Sequence, residues 1–287
     1  MNISIWNNFG ASNSGPVFSA FAEGAAKNNV KVLYNNIDSD IHVIWSVLWN
    51  GRMAGNKKIW EYCKQNKKPL VVLEVGSIQR NTTWKMALNG INSDASWVPV
   101  YEKNRSNKLG IELKPWKKEG EFIMICGQNV KSHQWSNMPP THIWMKSYIN
   151  LIRKYTDKPI ILRPHPRSPV PDITREFKNV FFNNPKKITG TYDDYDFNLE
   201  NVCTLISHNS NPGVQSVING VPVIAHASSL AYPMSIKNIN DILKEHLVDR
   251  TEWLEMISHT EFTLDEISSG KPYKNLTMRL NNDIIPL

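Results

Sequence analysis

A polar turn in the second half of the chain joins a strand-like run to a short amphipathic helix. The run at 204–206 breaks at Ser207, and Asn209 and Ser210 follow before the helix begins. Backbone N–H groups at a helix N-terminus carry partial positive charge, and hydroxyl and amide donors beside them suit a phosphate. The turn therefore predicts an anion-binding site. Ser210 also fits an ordinary N-cap, a role that is compatible with phosphate contact.

An earlier strand-like run ends in cationic and hydrogen-bonding side chains. Arg163 closes the run, and His165, two residues on, projects to the same side of the strand. Ligands collect at the carboxyl ends of strands in an open α/β sheet, so we expect Arg163 to bind a diphosphate bidentately beside the polar turn. His165 alternatively has a capping role between two prolines. A third loop, after the run 121–126, adds Gln128 and His133.

A carboxylate lies at the end of a strand-like run in the first half. Glu74 follows four apolar residues, and from that position it can accept a proton from an attacking hydroxyl as a general base. Arg80, Asn81 and Trp84 follow closely and offer an acceptor a phosphate contact, an amide and a stacking face. A structural Glu74–Arg80 ion pair is the alternative. Weaker candidates for the base are Asp38 and Asp94.

The N-terminal strand is followed by a loop rich in Gly, Ser and Asn. Its Gly10, Ser12 and Ser14 stand where a Rossmann phosphate loop would, but the spacing is not G-x-G-x-x-G and no Walker lysine follows. ATP and NAD are therefore poorly supported, and we expect the loop to line a cleft. The eight histidines form no H-x-x-x-H pair, and we expect no metal.

Strand-like and helix-like runs alternate along the chain, which predicts a doubly wound α/β architecture. At 287 residues the chain fits two Rossmann-like domains facing a cleft. The charged segment 101–120 is the predicted linker. We expect an N-terminal domain over 1–115 and a C-terminal domain over 120–287.

The net positive charge of the chain lies entirely in its first half. Residues 1–120 contain 16 Lys and Arg against 9 Asp and Glu, whereas residues 121–287 contain 17 of each class. A basic domain beside a neutral one favours a polyanionic partner such as DNA. A solvated lysine-rich surface is the alternative.

Three cysteines without metal-ligand spacing indicate buried free thiols in a reducing compartment. The sequence begins without a basic leader or a long apolar segment. These features favour a cytoplasmic protein without a membrane partner.

The sequence resembles the bacterial and phage GT-B glycosyltransferases related to the capsule-polysaccharide group. The matches are the Arg163–Pro166 segment, the turn from Ser207 to Gln215 and the closing segment from Trp253 to Gly270. The resemblance implies a GT-B fold and a UDP-sugar donor. It also implies that the domain over 1–115 binds the acceptor and that the domain over 120–287 binds the nucleotide sugar. It places the donor on Gln128, His133, Arg163, His165, Ser207, Asn209, Ser210 and Gln215.

The segment around Glu74–Trp84 also resembles phage enzymes that glycosylate hydroxymethylated DNA bases, including arabinosyltransferases acting on 5-hydroxymethylcytosine. The leading hypothesis is therefore sugar transfer from UDP-arabinose or UDP-glucose to the hydroxymethyl group of a pyrimidine in double-stranded phage DNA. The alternatives are transfer to a capsule or lipopolysaccharide saccharide, a non-catalytic DNA- or nucleotide-binding relative, and a sugar-nucleotide epimerase.

Overall fold

Strands and helices alternate along the chain in the computed structural model, which describes residues 1–96, 102–192 and 194–273. The strands are β1 (Asn2–Ile5), β2 (Lys31–Tyr34), β3 (Ile41–Trp45), β4 (Leu70–Val75), β5 (Trp84–Leu88), β6 (Phe122–Cys126), β7 (Ile160–Arg163), β8 (Val180–Phe182), β9 (Val202–Ser207), β10 (Val223–Ala225) and β11 (Glu261–Phe262). The helices are α1 (Gly15–Lys27), α2 (Asn56–Gln65), α3 (Arg105–Lys108), α4 (Thr141–Ile152), α5 (Asn211–Ile218), α6 (Thr251–Ser258) and α7 (Leu264–Ser268).

The chain divides into two units. The first is Met1–Leu109 with Glu255–Leu287, of which 97–101 and 274–287 lie outside the described residues, and the second is Gly110–Leu254. The sequence-based division, in contrast, assigns all of 120–287 to one domain.

The C-terminal segment belongs to the first unit because it completes the sheet and core there. β11 pairs with β5, and the buried guanidinium of Arg105 donates to the backbone oxygens of Ser258 at 2.6 Å and Glu261 at 2.7 Å. Helix α7 closes against α1, where Gly24 leaves room for the backbone of Ile267.

The sheet of the first unit has the order β11-β5-β4-β3-β1-β2. Strands β2, β1, β3 and β4 are parallel, and β5 and β11 extend the sheet in antiparallel fashion. Apolar residues of α1 pack with one set of strand residues, including Ile3 and Ile5, and those of α2 pack with another set, including Ile44 and Val72. Because β1 leads outward to β2 and the chain then returns to β3 on the other side, the strand order reverses between β1 and β3.

The sheet of the second unit has the order β10-β9-β6-β7-β8, and all four pairings are parallel. The chain runs from β6 through β7 to β8 and then returns to β9 on the opposite side of β6, so the strand order reverses between β6 and β9. Helix α4 buries Trp144, Met145 and Ile149 in the core of this unit. These two parallel-rich sheets confirm the predicted doubly wound α/β class.

Among the helices in the described ranges, none combines the length and the hydrophobicity that crossing a membrane requires.

Candidate functional site

The strand register of the second unit brings the predicted anion-binding loops to one edge of the sheet. Cys126 at the end of β6 is paired with Arg163 at the end of β7 and with Ser207 at the end of β9. Ala225 at the end of β10 is in turn paired with Ser207. In doubly wound sheets, ligands bind outside the carboxyl ends of the strands where the strand order reverses. Here that point lies between β6 and β9.

Hydrogen bonds join the loops at this reversal point. The Gln128 side chain, which is buried, accepts a hydrogen bond at 3.2 Å from the backbone N–H of Asn209 through Oε1. The backbone N–H of Gly127 donates to the carbonyl of Arg163 at 2.8 Å. A Cβ on Gly127 would lie 3.1 Å from the backbone nitrogen of His165 and 3.3 Å from Cγ2 of Thr141. The first turn of α4 therefore approaches the same loops closely.

Two serine hydroxyls at the N-terminus of α5 lack partners. Oγ of Ser207 and Oγ of Ser210 are buried atoms without a hydrogen-bond partner among the described residues. Ser210 is the N-cap residue of α5, yet its side chain makes no capping hydrogen bond. A Cβ on Gly213 would lie 2.8 Å from Oγ of Ser207, which places this hydroxyl over the first turn of the helix.

A buried hydroxyl without a hydrogen-bond partner costs folding free energy, and in a native structure it calls for an explanation, such as a role in binding an ion. Here the hydroxyls lie at the positive end of a helix dipole, where Pro212 has no N–H and the N–H of Gly213 donates to the backbone oxygen of Ser210 at 3.0 Å. The hydroxyls and the dipole suit an anion, and the phosphate site expected at this turn stays a prediction.

Arg163 does not present an open guanidinium to the site. Its side chain is 9 % exposed, and Nη2 forms an ion pair with Oδ1 of Asp196 at 3.1 Å and also donates to the backbone oxygen of Asp196. Nη1 donates to Asn183 at 3.3 Å. The diphosphate role of Arg163 stays a prediction, and a phosphate would first have to displace Asp196, whose loop folds back onto Arg163.

The remaining predicted donor residues border the same edge. His165 is half-buried, and its Nδ1 accepts a hydrogen bond from the backbone N–H of Arg167 at 3.1 Å, which orients the ring within a turn. His133 begins a short 3-10 turn after β6, and Gln215 lies half-buried on α5.

A stacked histidine pair at this edge was not identified from the sequence. His208 follows β9 and His226 follows β10, with ring centroids 4.4 Å apart, and Trp135 contacts His208 edge-on. Burial, followed by the proximity of His226, lowers the pKa of His208 to about 4. Each histidine comes directly after a strand in the sequence, a signal that places both at this edge of the sheet but does not predict that they stack.

In the first unit, Glu74 lies in a row of charged residues across the sheet. Glu74 on β4 is paired with Lys85 on β5, which is paired with Glu261 on β11. Glu74 is half-buried, and its Oε1 accepts from the backbone N–H of Val75 at 2.8 Å. Lys85 is 2 % exposed; burial lowers its pKa, whereas Glu261, Glu74 and Asp94 oppose that shift.

The segment 76–83, predicted to contact an acceptor, wraps the buried carboxylate of Glu261. This carboxylate accepts hydrogen bonds from Ser77 N and Oγ at 2.6 Å each and from Thr83 Oγ1 at 2.6 Å. Gly76 makes room for it, because a Cβ there would lie 2.5 Å from Oε2 of Glu261. The segment therefore has a clear structural function.

The three predicted acceptor residues are in different environments. Arg80 and Asn81 are exposed on the turn that precedes β5, and Asn81 adopts a positive φ of 64°. Trp84, in contrast, is 6 % exposed and packs against Trp45 with ring centroids 5.8 Å apart. The proposed stacking role of Trp84 needs correction, because its indole is part of the hydrophobic core.

The predicted cleft loop follows β1, at the point where the strand order of the first sheet reverses. Gly10 has no space for a side chain, since a Cβ would lie 2.2 Å from Oγ of Ser14. Ser14 is buried and donates to the backbone oxygen of Ala11 at 2.8 Å, whereas Ser12 is exposed and accepts from Arg52 at 3.3 Å. The loop is thus placed as a ligand-binding loop would be in this fold.

In the part of the chain that the structure describes, no three His, Cys, Asp or Glu side chains are grouped so that they could hold a metal ion.

Comparisons with known proteins give a structural likeness without a sequence match. No protein-family model matches the chain, and no curated protein matches it in sequence. The solved structure of Thermosulfurimonas dismutans KpsC, beta Kdo 2,4 transferase, is similar with a TM-score of 0.53 at 11 % identity, covering 91 % of this chain and 90 % of that one. The beta Kdo 2,7 transferase structure of KpsC from the same organism gives a TM-score of 0.54 at 12 % identity, with 97 % and 100 % covered.

A UDP-GlcNAc 2-epimerase from Methanocaldococcus jannaschii, solved with UDP-GlcNAc and UDP, gives a TM-score of only 0.38 at 11 % identity, over 97 % of this chain and 100 % of that one. The two higher-scoring structures establish the fold. The chain is built from two Rossmann-like units of the GT-B type.

Proposed function

We propose that this protein is a glycosyltransferase that binds a nucleotide-activated sugar at the strand-order reversal of its second unit. The observation that carries this proposal is the pair of buried, unpartnered hydroxyls of Ser207 and Ser210 at the N-terminus of α5. Such an arrangement has hydroxyl donors in place for an anion.

The chemistry of glycosyl transfer fits this site. When the glycosidic bond to the phosphate breaks, the leaving phosphate gains negative charge, and donors held in place stabilise that charge best. The hydroxyls of Ser207 and Ser210 supply such donors, and the dipole of α5 favours the same charge. A UDP-sugar is the donor that we propose, and Glu74 is the proposed base that accepts the proton of the attacking hydroxyl.

A saccharide is the acceptor class that we propose. Both structures with the higher similarity are described as Kdo transferases, which fits transfer to a saccharide. Two features that favoured a DNA acceptor are also weakened. Trp84 is a core residue, and the positive charge of Lys85 is buried, so neither offers DNA a contact.

DNA remains the second candidate because of the basic first half of the chain. Exposed cations of this half include Lys57, Lys58 and Arg80. Binding of double-stranded DNA that falls steeply with salt, and that weakens when these three are changed to Gln, would support this candidate. No DNA binding at low salt would exclude it.

Alanine variants of the two hydroxyls test the proposed donor site. Removing an unpartnered buried hydroxyl should leave the free protein as stable or more stable. The same change should weaken binding of a nucleotide sugar by about fivefold per hydroxyl, since a hydrogen bond contributes roughly 1 kcal/mol. We therefore expect Ser207→Ala and Ser210→Ala to keep the melting temperature and to lose affinity in calorimetry with a panel of UDP- and CMP-sugars.

Ser216→Ala is the matched control. Oγ of Ser216 is also buried without a partner among the described residues, but Ser216 is the sixth of the eight residues of α5 and lies in its second turn rather than at its N-terminus. We expect this variant to bind as the wild type does. Unchanged affinity in both Ser207→Ala and Ser210→Ala, or no binding of any nucleotide sugar by the wild type, would overturn the proposed function.

A further inference from the structure

The imidazole of His226 is held in one tautomer. The backbone N–H of Ser228 donates to Nδ1 of His226 at 3.2 Å, and Oγ of Ser228 lies 2.9 Å from the same atom. A backbone N–H can only donate, so Nδ1 must be an acceptor. The neutral ring therefore has its proton on Nε2, and Nε2 has no hydrogen-bond partner within the described ranges.

The ring of His226 is also fixed in position. One face stacks on His208 at an interplanar angle of 25°, and the backbone N–H of His226 donates to the carbonyl of His208 at 2.9 Å. His208 is neutral near pH 7, because its pKa is lowered to about 4. The exposed ring of His226 can therefore approach an anion while it stacks on a neutral ring.

The loop that contains His226 borders the N-terminus of α5. A Cβ on Gly213, in the first turn of that helix, would lie 3.5 Å from Cβ of Ala231 and 3.9 Å from Oγ of Ser229. The side-chain amide of Asn209 donates to Oγ of Ser228 at 3.0 Å. The loop after β10 and the turn after β9 thus form one connected edge.

We propose that His226 is a further residue of the donor site and donates a hydrogen bond from Nε2 to a phosphate oxygen of the bound nucleotide. The inference rests on the proposed function, since it requires a phosphate at the N-terminus of α5. His226, in the loop after β10, would then add a third side-chain donor to Ser207 at the end of β9 and Ser210 in the turn that follows. Ser228 and His208 act as positioning residues that set the tautomer and the plane of the ring.

Two substitutions separate the hydrogen bond from the packing of the ring. His226→Phe keeps an aromatic ring to stack on His208 but removes the donor. His226→Gln loses the stacking but keeps an N–H donor. The binding of UDP-glucose, or of the panel member that binds the wild type most tightly, is measured by calorimetry for each protein. Thermal melting confirms that each variant is folded.

We expect His226→Phe to lower the affinity for the nucleotide sugar and for inorganic pyrophosphate by about tenfold, and His226→Gln to lower it less. Binding of uridine, which lacks phosphate, should be the same in all three proteins. In ¹H–¹⁵N spectra of the histidine rings, the resonances that disappear in His226→Phe are those of the His226 ring. In the wild type these resonances should show the Nε2–H tautomer. They should also shift when pyrophosphate is added.

The outcomes are distinct. If the wild type binds a nucleotide sugar and His226→Phe binds it equally well, this inference is overturned while the proposed function stands. An equal loss in both variants that extends to uridine would also overturn it, because the role of His226 would then be structural. If the wild type binds no nucleotide sugar and no pyrophosphate, both proposals fail.

Discussion

Arg163 and Asp196 form an ion pair in the second unit, with 3.1 Å between Nη2 and Oδ1. The Arg163 side chain is 9 % exposed and that of Asp196 is 50 % exposed, so the carboxylate covers the guanidinium from the solvent side. Hydrogen bonding from the backbone of Lys186, with a further contribution from Arg163, lowers the pKa of Asp196. A phosphate that binds Arg163 must therefore displace a permanent negative charge.

Asp196→Asn should strengthen the binding of a nucleotide sugar. The variant removes the competing charge but keeps an oxygen that can accept from the backbone N–H of Lys186. We expect affinity to rise by up to about fivefold, because a partly exposed ion pair is worth roughly 1 kcal/mol or less. Arg163→Ala should lower affinity by about ten- to hundredfold, since it removes a charge-assisted bond. Titration calorimetry measures both.

Asp172→Asn is the control for this pair, because Asp172 is an exposed carboxylate of the same unit whose hydrogen bonds go to Thr174. It should bind as the wild type does. Unchanged affinity in Arg163→Ala would show that Arg163 serves only to hold the loop that contains Asp196.

Glu74→Gln should abolish most turnover while leaving donor binding intact. The amide keeps the shape of the side chain but cannot take up a proton, and loss of general-base catalysis costs roughly 10²–10⁴ in rate. Turnover is measured with a nucleotide sugar and a saccharide acceptor. Glu61→Gln, which alters an exposed carboxylate on α2, is the control. Near-normal turnover in Glu74→Gln would assign Glu74 a structural role beside Lys85.

Glu261→Gln should destabilise the first unit. Both carboxylate oxygens of Glu261 accept hydrogen bonds, from Ser77, Ile78 and Thr83, and a carboxamide would direct an NH₂ group at some of these donors. The change also leaves the buried cation of Lys85 with one neighbouring carboxylate fewer. We expect a loss of about 3 kcal/mol in the free energy of unfolding, measured in urea.

The exposed Glu252 provides the comparison for Glu261, and Glu252→Gln should change stability by no more than about 0.5 kcal/mol. Equal stability of the two variants would mean that the segment 76–83 is held without the Glu261 carboxylate.

The stability of the first unit should fall in mild acid because of His42. Burial, aided by the proximity of Lys68, lowers the pKa of His42 from 6.5 to about 4, and its Nδ1 accepts a hydrogen bond from Trp6 Nε1 at 3.1 Å. Because the folded-state pKa lies below the unfolded value, the unfolded chain binds more protons between these pH values. The stabilisation is therefore complete above pH 6.5 and is lost as the pH falls towards 4.

For one such histidine, the free energy of unfolding should change with pH by up to about 1.4 kcal/mol per pH unit. His208 gives the second unit a contribution of the same sign. His42→Asn should flatten the dependence between pH 6.5 and 5, where few carboxylates titrate. Urea unfolding across this range measures the slope. A variant with the wild-type slope would contradict the assignment to His42.

The sequence determined the features that depend on neighbouring residues. The alternation of strand-like and helix-like runs specified two doubly wound sheets, because side-chain periodicity sets which segments form strands and helices. The polar turn from Ser207 to Ser210 was predicted to be an anion site because a strand end followed by a helix is a local pattern. The position of Arg163 at the end of a strand was predicted from the same kind of local pattern.

The tertiary structure decided the features that depend on residues far apart in the chain. Trp84 and Lys85 are buried because β11, more than 170 residues later, pairs with β5 and extends the sheet. The carboxylate of Asp196 forms an ion pair with the guanidinium of Arg163, and His208 stacks on His226. No local sequence pattern encodes these contacts. Side-chain chemistry can be predicted from the sequence, whereas the partner and the exposure of each side chain are set when distant strands and loops pack together.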